Sequence, residues 1–488
     1  MNRSPNILLI HADQHRYDCL GAYGNKEIKT PHLDELANDS TVYENSFCSY
    51  PVCTPSRYSL LSGQYVYQHC GRSNRCTLKP DLPSLPRILK DNSYRTTAVG
   101  KMHFTPTYLD IGFQDMRLAE QDGGGRYEDD YHAWLLSEGI IDRMDMIDQI
   151  HTFRKDAPAE YWNNFGALPS DLDEKHHSTT WIAEQSIDCI SEWKEGGNFL
   201  MTGFIKPHHP FDPPYPWADM YKPEDLSILA GWTDDLIHND SGNGYFKNST
   251  LSEEKLKRIM ALYYASISQI DHQVGRMIKL LKDKGIYDNT IIIYTSDHGD
   301  YLGYHHRILK SDRLFDPLAK VPLIVKFPQN KNQAKRDARL VNNIDILPTL
   351  LSLCNIELPE NLSGKNLNDD NEQHEYIFSE TEDGSMLRSK TKKLLLHKDQ
   401  SQSMFFDLEN DPFELTNLID DPKQENDIRV FMKELAKYPN INDREVNYLN
   451  LESPVLKSPI PKNCKIIFEE TMKKYTGLPI TAKNNIIK

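Results

Sequence analysis

The sequence predicts an α/β fold: a large, mainly parallel β-sheet flanked by helices, with a smaller C-terminal α+β subdomain carrying an antiparallel sheet. Three observations predict it. Short apolar runs alternate with longer amphipathic stretches up to about residue 372, the pattern of strand–helix–strand units. One stretch, 252–282, keeps apolar residues at helical spacing throughout. From residue 373 the segments shorten and alternate in polarity, as strands with one buried face do. A length of 488 residues accommodates a large core and more than one domain, so the expected division is 1–372 and 373–488.

Taken in order, strands are expected at 6–12, 95–99, 199–205, 290–295 and 322–327, each a short apolar run bounded by polar or turn-forming residues. In the helix at 252–282, Leu256, Ile259, Met260, Tyr263, Ile267, Ile270, Val274 and Met277 recur at three- and four-residue steps, and Gly285 follows as a stop. A second helix is expected at 344–353, with Pro348 as a kink or boundary. Between 110 and 175 the pattern gives way to polar, aromatic and Gly-rich sequence such as Gln121-Asp-Gly-Gly-Gly-Arg126, read as an insertion over one face of the sheet. Such an insertion either shapes a substrate pocket or remains solvated surface. Beyond 373, the segments 393–397 and 404–408 alternate, and Glu409-Asn-Asp-Pro412 is turn-rich.

No apolar run approaches the ~20 residues that cross a bilayer, and Met1 to Pro5 are too few and too polar for a secretory signal, so a cytoplasmic protein without a membrane partner is expected. Eight scattered cysteines make no disulfide framework; Cys70 and Cys76 are near enough in sequence to pair, but reduced thiols are the expectation. A formal net charge of −15 argues against nucleic acid and anionic membrane surfaces as partners. An anionic substrate would therefore need a local positive cluster.

The most informative segment is Pro51-Val-Cys-Thr-Pro-Ser-Arg57. Pro55 suits the first turn of a helix, and Tyr58-Ser-Leu-Leu-Ser-Gly63 continues it. Cys53 would then lie just before a helix N-terminus, where N–H groups and the helix dipole favour an anion, and Arg57 follows one turn on. Taken alone, a capped helix with a buried thiol competes with an anion site.

At Cys-x-Pro-Ser-Arg the sequence resembles the type I sulfatase family of the alkaline-phosphatase-like superfamily, in which a maturation enzyme oxidises this cysteine to formylglycine. Five further segments resemble the family in order: Ala12-Asp-Gln14, Gly100-Lys-Met-His103, Lys206-Pro-His-His-Pro-Phe211, Ser296-Asp-His-Gly299 with Leu302-Gly-Tyr-His305 and Lys310, and Phe406-Asp-Leu-Glu-Asn-Asp-Pro412 with Glu414-Leu-Thr-Asn-Leu418. The resemblance implies an alkaline-phosphatase-like fold and a metal site of Asp13, Gln14, Asp297 and His298 beside the modified Cys53. Oxygen-rich ligands suit a hard cation, Ca2+ first, with Mg2+ or Mn2+ in reserve. It also implies that Lys101 and Lys310 hold the sulfate oxygens, that His208 or Lys310 helps the leaving oxygen, and that His103 acts as base on the formylglycine hydroxyls. Arg57 shares in stabilising the sulfate charge. One hydroxyl of the hydrated aldehyde attacks sulfur; loss of the second proton then expels sulfate and restores the aldehyde.

The chain departs from the family in places. Gln14 stands where Asp is frequent, which removes a negative charge from the metal set. Phe315-Asp316 follows Lys310 by five residues rather than four, which implies an extra residue in that loop. His209 is the weaker of the two adjacent histidines, and His305 is expected in a supporting role. The rival readings are a phosphonate monoester or phosphodiester hydrolase of the same superfamily, and a catalytically silent glycan-binding protein. A carbohydrate sulfate is the expected substrate, with Tyr127, Asp129, Asp130, Tyr131 and Trp134 of the insertion as candidate sugar contacts.

Overall fold

A computed structural model of the chain describes residues 4–121, 126, 128–234, 245–439, 446–448 and 453–457. The larger sheet holds β1 (Asn6–Asp13), β2 (Thr41–Phe47), β3 (Arg95–Gly100), β4 (Asp115–Leu118), β5 (Asn198–Pro207), β6 (Thr290–Thr295), β7 (Leu323–Lys326) and β8 (Lys335–Asn342), in the spatial order β4-β3-β5-β1-β6-β7-β2-β8. Strands β4, β3, β5, β1 and β6 run parallel, whereas β7 is antiparallel to both β6 and β2. The expected strand at 322–327 thus exists but runs against its neighbours.

Alternation along β1 explains the layers. Leu8, Ile10 and Ala12 enter one core with the helices Ser178–Glu192 and Glu253–Asp283, while Ile7 and Leu9 enter the other with the helices Cys53–Ser62, Leu85–Asp91 and Ile346–Leu353. The expected long helix is Glu253–Asp283, capped by the Ser252 hydroxyl, which accepts from the Lys255 N–H. The expected helix at 344–353 begins at Ile346 after a 3₁₀ turn, Asn343–Asp345. Pro348 therefore falls in its first turn, where an N–H has no intrahelical partner to lose, and marks a boundary.

The segment 110–175 is more ordered than its composition suggested. It supplies the edge strand β4 and four short helices, Asp130–Ser137, Arg143–Gln149, His151–Lys155 and Ala159–Asn163.

A second sheet is antiparallel, in the order β12-β11-β10-β9, from β9 (Ile377–Glu380), β10 (Gly384–Arg388), β11 (Lys392–His397) and β12 (Met404–Asp407). One face, with Ile377, Met386, Leu395 and Phe406, packs on Phe47, Tyr301, Phe315 and Leu318 of the larger unit. The other, with Phe378, Leu387, Leu394 and Phe405, packs on Phe431 and Leu435 of the helix Glu425–Leu435. After that helix the chain returns to the larger unit: Tyr448 bridges to Cys76 and Val455 to Leu109. Among the described residues no helix is long and apolar enough to cross a membrane.

Candidate active site

Four neighbouring parallel strands, β3, β5, β1 and β6, end on the same side of the sheet, and eight of the ten predicted site residues follow from that. Asp13 closes β1 and Gln14 follows it; Lys101 and His103 follow β3; His208 follows β5; Asp297 and His298 follow β6, with Lys310 on the loop beyond. Open α/β sheets gather ligand sites at this end. The other two, Cys53 and Arg57, lie on the helix Cys53–Ser62, whose N-terminus points into the same place. Cys53 is its first helical residue rather than the residue before it, because Val52 is the N-cap.

The structure brings these residues together. Cys53 Sγ lies 3.7 Å from Asp13 Oδ1, 3.4 Å from His298 Nε2 and 3.1 Å from Lys310 Nζ. Ligand atoms of Asp13, Cys53, Asp297 and His298 all lie within 4.8 Å of one another, and all four residues are buried. The Arg57 guanidinium joins the two carboxylates, with Nη2 2.9 Å from Asp13 Oδ2 and Nε donating to Asp297 Oδ2 at 3.1 Å. Lys101 Nζ makes a second ion pair with Asp13 Oδ2 at 2.9 Å and donates to Gln121 Oε1 at 2.9 Å.

Electrostatics follow from this packing. Burial raises the Asp13 carboxyl, but Lys101, His208 and Arg57 hold it well below the usual range. Burial and the Asp13 charge push Asp297 up; His298 and Arg57 outweigh them and leave it at about 2. Burial works against the Lys101 ammonium, yet Asp13 and Cys53 keep its pKa above that of an ordinary lysine. His208 is driven well below the ordinary value by burial and by Lys101, so it is neutral near pH 7.

Gln14 tests whether the group fits a metal. Its backbone adopts φ 62°, its N–H donates to Asp297 Oδ1 at 3.1 Å and its Nε2 donates to Asp300 Oδ2 at 2.6 Å. Its Oε1 is buried without a hydrogen-bond partner among the described residues. A buried orphan oxygen beside two carboxylates held ionised, an imidazole and a thiol is a donor set that fits a hard divalent cation.

Two close backbone approaches place Lys101. Gly100 has φ +87°, and a Cβ there would lie 2.1 Å from Gly203 O; a Cβ on Gly203 would lie 2.2 Å from Lys101 O. On the far side, Asp300 Oδ1 accepts from Leu302 N at 2.7 Å and Leu309 N at 3.0 Å, folding the loop that presents Lys310. The extra residue before Phe315 leaves Lys310 at the thiol. Phe315 and Asp316 face the smaller sheet: Asp316 is paired with Arg388 at 3.1 Å and Lys393 at 2.8 Å. His305 also belongs to that junction, stacked on Tyr304 at 4.4 Å and bonded to Phe413 O at 3.0 Å.

The cavity over Cys53 has a volume of about 210 Å³. Cys53, Lys101, His103, His208 and Lys310 line one part; Asn74, Gln149, His209, Tyr245 and Leu309 line the rest. His209 is more prominent than its position beside His208 suggested: its ring stacks on His208 at 4.2 Å, and its Nδ1 lies 2.6 Å from the buried Asp148 Oδ2. Asn74, Gln149 and Tyr245 come from segments without periodicity and carried no sequence signal. The proposed sugar contacts are engaged elsewhere. Asp129 caps a helix through the His132 N–H, Asp130 accepts from Leu118 N, the Tyr131 hydroxyl donates to His176 O, and Trp134 packs on His176. None of these four lines the cavity, and Tyr127 lies outside the described residues. Cys70 and Cys76 are not joined by a disulfide.

Comparison with known proteins places these features. The sequence model of the family described as Sulfatase matches residues 5–356, and that described as N-sulphoglucosamine sulphohydrolase, C-terminal, matches 304–440. An arylsulfatase of Clostridium perfringens is 32% identical over 474 residues, covering 91% of this chain and 96% of the relative. A phosphonate monoester hydrolase of Silicibacter pomeroyi superposes with a TM-score of 0.75 at 22% identity, over 89% of this chain and 94% of that one. A protein solved in complex with its substrate, D-glucosamine-2-N,6-O-disulfate, gives a TM-score of 0.71 at 18% identity, over 89% and 97%.

Proposed function

The chain belongs to the sulfatase family and is a sulfuric ester hydrolase; from that premise we propose that it releases sulfate from a sulfated carbohydrate, with a formylglycine made from Cys53 by a maturation enzyme and one divalent ion, Ca2+ first. The observation that carries the proposal is the meeting of Cys53 with Asp13, Asp297, His298 and Lys310 beside a cavity that Cys53 and Lys310 line.

A divalent ion held by Asp13, Gln14, Asp297 and His298 would acidify the attacking hydroxyl and offset sulfate charge. Formylglycine would supply two hydroxyls as its hydrate, one to attack sulfur and one whose deprotonation expels sulfate. Arg57 keeps Asp13 and Asp297 ionised although both are buried. Lys101 and Lys310 balance the charge on the sulfate oxygens. Neutral His208 gives its Nδ1–H to His209 O at 2.7 Å, so its Nε2, 3.4 Å from Lys310 Nζ, accepts from that lysine and holds it as the donor for the departing oxygen. His103 takes the proton of the second hydroxyl. A carbohydrate is favoured by the other part of the cavity, where Asn74, Gln149 and His209 offer hydrogen bonds beside the Tyr245 ring.

The Asp13-Gln14 and Asp297-His298 pairs also favour a second reading, a phosphonate monoester hydrolase. The experiment compares sulfate release from glucosamine and galactose monosulfates with cleavage of a phenylphosphonate monoester, using protein co-expressed with a formylglycine-generating enzyme. Higher kcat/KM on a sugar sulfate supports the proposal; higher kcat/KM on the phosphonate selects the second reading.

A further inference from the structure

His209 has a supporting structure of its own on the cavity wall. Asp148 Oδ2 holds its Nδ1 at 2.6 Å, and the same carboxylate accepts from the Tyr161 hydroxyl at 2.7 Å and from Gln149 Nε2 at 2.6 Å. The His209 carbonyl accepts from Gln121 Nε2 and Gln149 Nε2, each at 3.1 Å. Its ring is clamped between His208, stacked at 4.2 Å, and Tyr245, edge-on at 4.7 Å; the Arg154 guanidinium in turn covers the Tyr245 ring at 3.8 Å. Asp148 is buried, yet His209 and the Tyr161 hydroxyl hold its pKa below the ordinary value, so it is an ionised acceptor.

Such a scaffold fixes a tautomer and an orientation. With Nδ1 committed to Asp148, Nε2 is the ring atom left to meet a ligand. That atom has no hydrogen-bond partner among the described residues, and His209 lines the cavity. It stands one ring away from His208, which holds the lysine assigned to the leaving oxygen. We infer that the Asp148-held His209 is a specificity-determining residue, whose Nε2 hydrogen-bonds a hydroxyl on the alcohol part of the ester, near the scissile oxygen. Asp148 is then a positioning residue, acting only through His209. A substrate without that hydroxyl leaves Nε2 desolvated and unpaired, so the site selects polyhydroxylated leaving groups over plain aryl ones. The inference rests on the sulfatase reading of the site.

The test uses two chromogenic sulfates differing by one hydroxyl: 3-nitrophenyl sulfate and 4-nitrocatechol sulfate (2-hydroxy-5-nitrophenyl sulfate), whose hydroxyl neighbours the ester. The quantity read is the ratio of kcat/KM for the catechol over the phenyl ester, in the formylglycine-bearing wild type, His209→Gln, His209→Ala and Asp148→Asn, with thermal melting to show that each variant folds. We expect His209→Ala and Asp148→Asn to lower the ratio by about tenfold or more, mainly through KM, with His209→Gln retaining part of it. An unchanged ratio in folded variants overturns the inference. So does an equal loss on both esters, which would limit His209 to holding the His208 ring. If the wild type cleaves neither ester although intact mass shows Cys53 converted, it is the sulfatase reading that fails.

Discussion

Gln14 shows how much chemistry one side chain can carry. Its amide nitrogen is tied to Asp300, which leaves its oxygen for the buried cluster. Gln14→Asp would set a carboxylate against Asp300 and add a third negative charge beside Asp13 and Asp297. We predict that this variant melts below the wild type by about 1–3 kcal/mol without divalent ions and recovers when Ca2+ is added, as measured by differential scanning fluorimetry. Site residues were legible where a motif directly follows an apolar strand: Asp13, Lys101, His103, His208 and Asp297 each stand within three residues of a strand end. Gln149 and Tyr245 were not legible, because tertiary packing alone brings their segments to the cavity.

Strands β3 and β5 touch where Lys101 leaves the sheet, and glycine at positions 100 and 203 permits it. A Gly203→Ala methyl would meet the Lys101 carbonyl at 2.2 Å, a backbone atom that cannot turn away. We predict a cost of about 1–3 kcal/mol and a fall in kcat from displacement of Lys101, with urea unfolding and single-turnover kinetics as the measurements. Among the elements, β1, β3, β5 and β6 were legible because both faces of the parallel sheet are buried, which makes them continuous apolar runs. The edge strands β4 and β8 were not: β8 (Lys335–Asn342) opens on the charged run Lys335-Arg336-Asp337, and edges commonly carry charge. The interior strand β2 was obscured by Glu44 and Asn45, which are only half buried.

At the scale of the whole molecule, the two sheets are joined by a buried charge cluster. Asp316 holds Arg388 and Lys393, and Lys393 reaches Glu414 at 2.6 Å. Asp316→Ala strands Arg388 and leaves Lys393 with Glu414 alone, and a loss of about 3–5 kcal/mol is expected in chemical unfolding. Acid should loosen the same molecule. Burial lowers His69 to about 3 and His305 to about 4, whereas an unfolded chain protonates histidine near 6.5. The folded state therefore holds fewer protons, and stability present above pH 6.5 is lost as the pH falls toward 4, by about 1.4 kcal/mol per pH unit for each histidine. A melting temperature that stays flat between pH 6.5 and 5 would contradict this.

The central claim is that Cys53, once oxidised, is the nucleophile of a sulfate ester hydrolase. The most direct measurement follows sulfate release from 4-nitrophenyl sulfate by protein made with and without a formylglycine-generating enzyme, with intact mass reporting conversion at Cys53. Turnover is expected in proportion to the converted fraction, with none in Cys53→Ala. Equal turnover by unconverted protein, or none by fully converted protein, would contradict it.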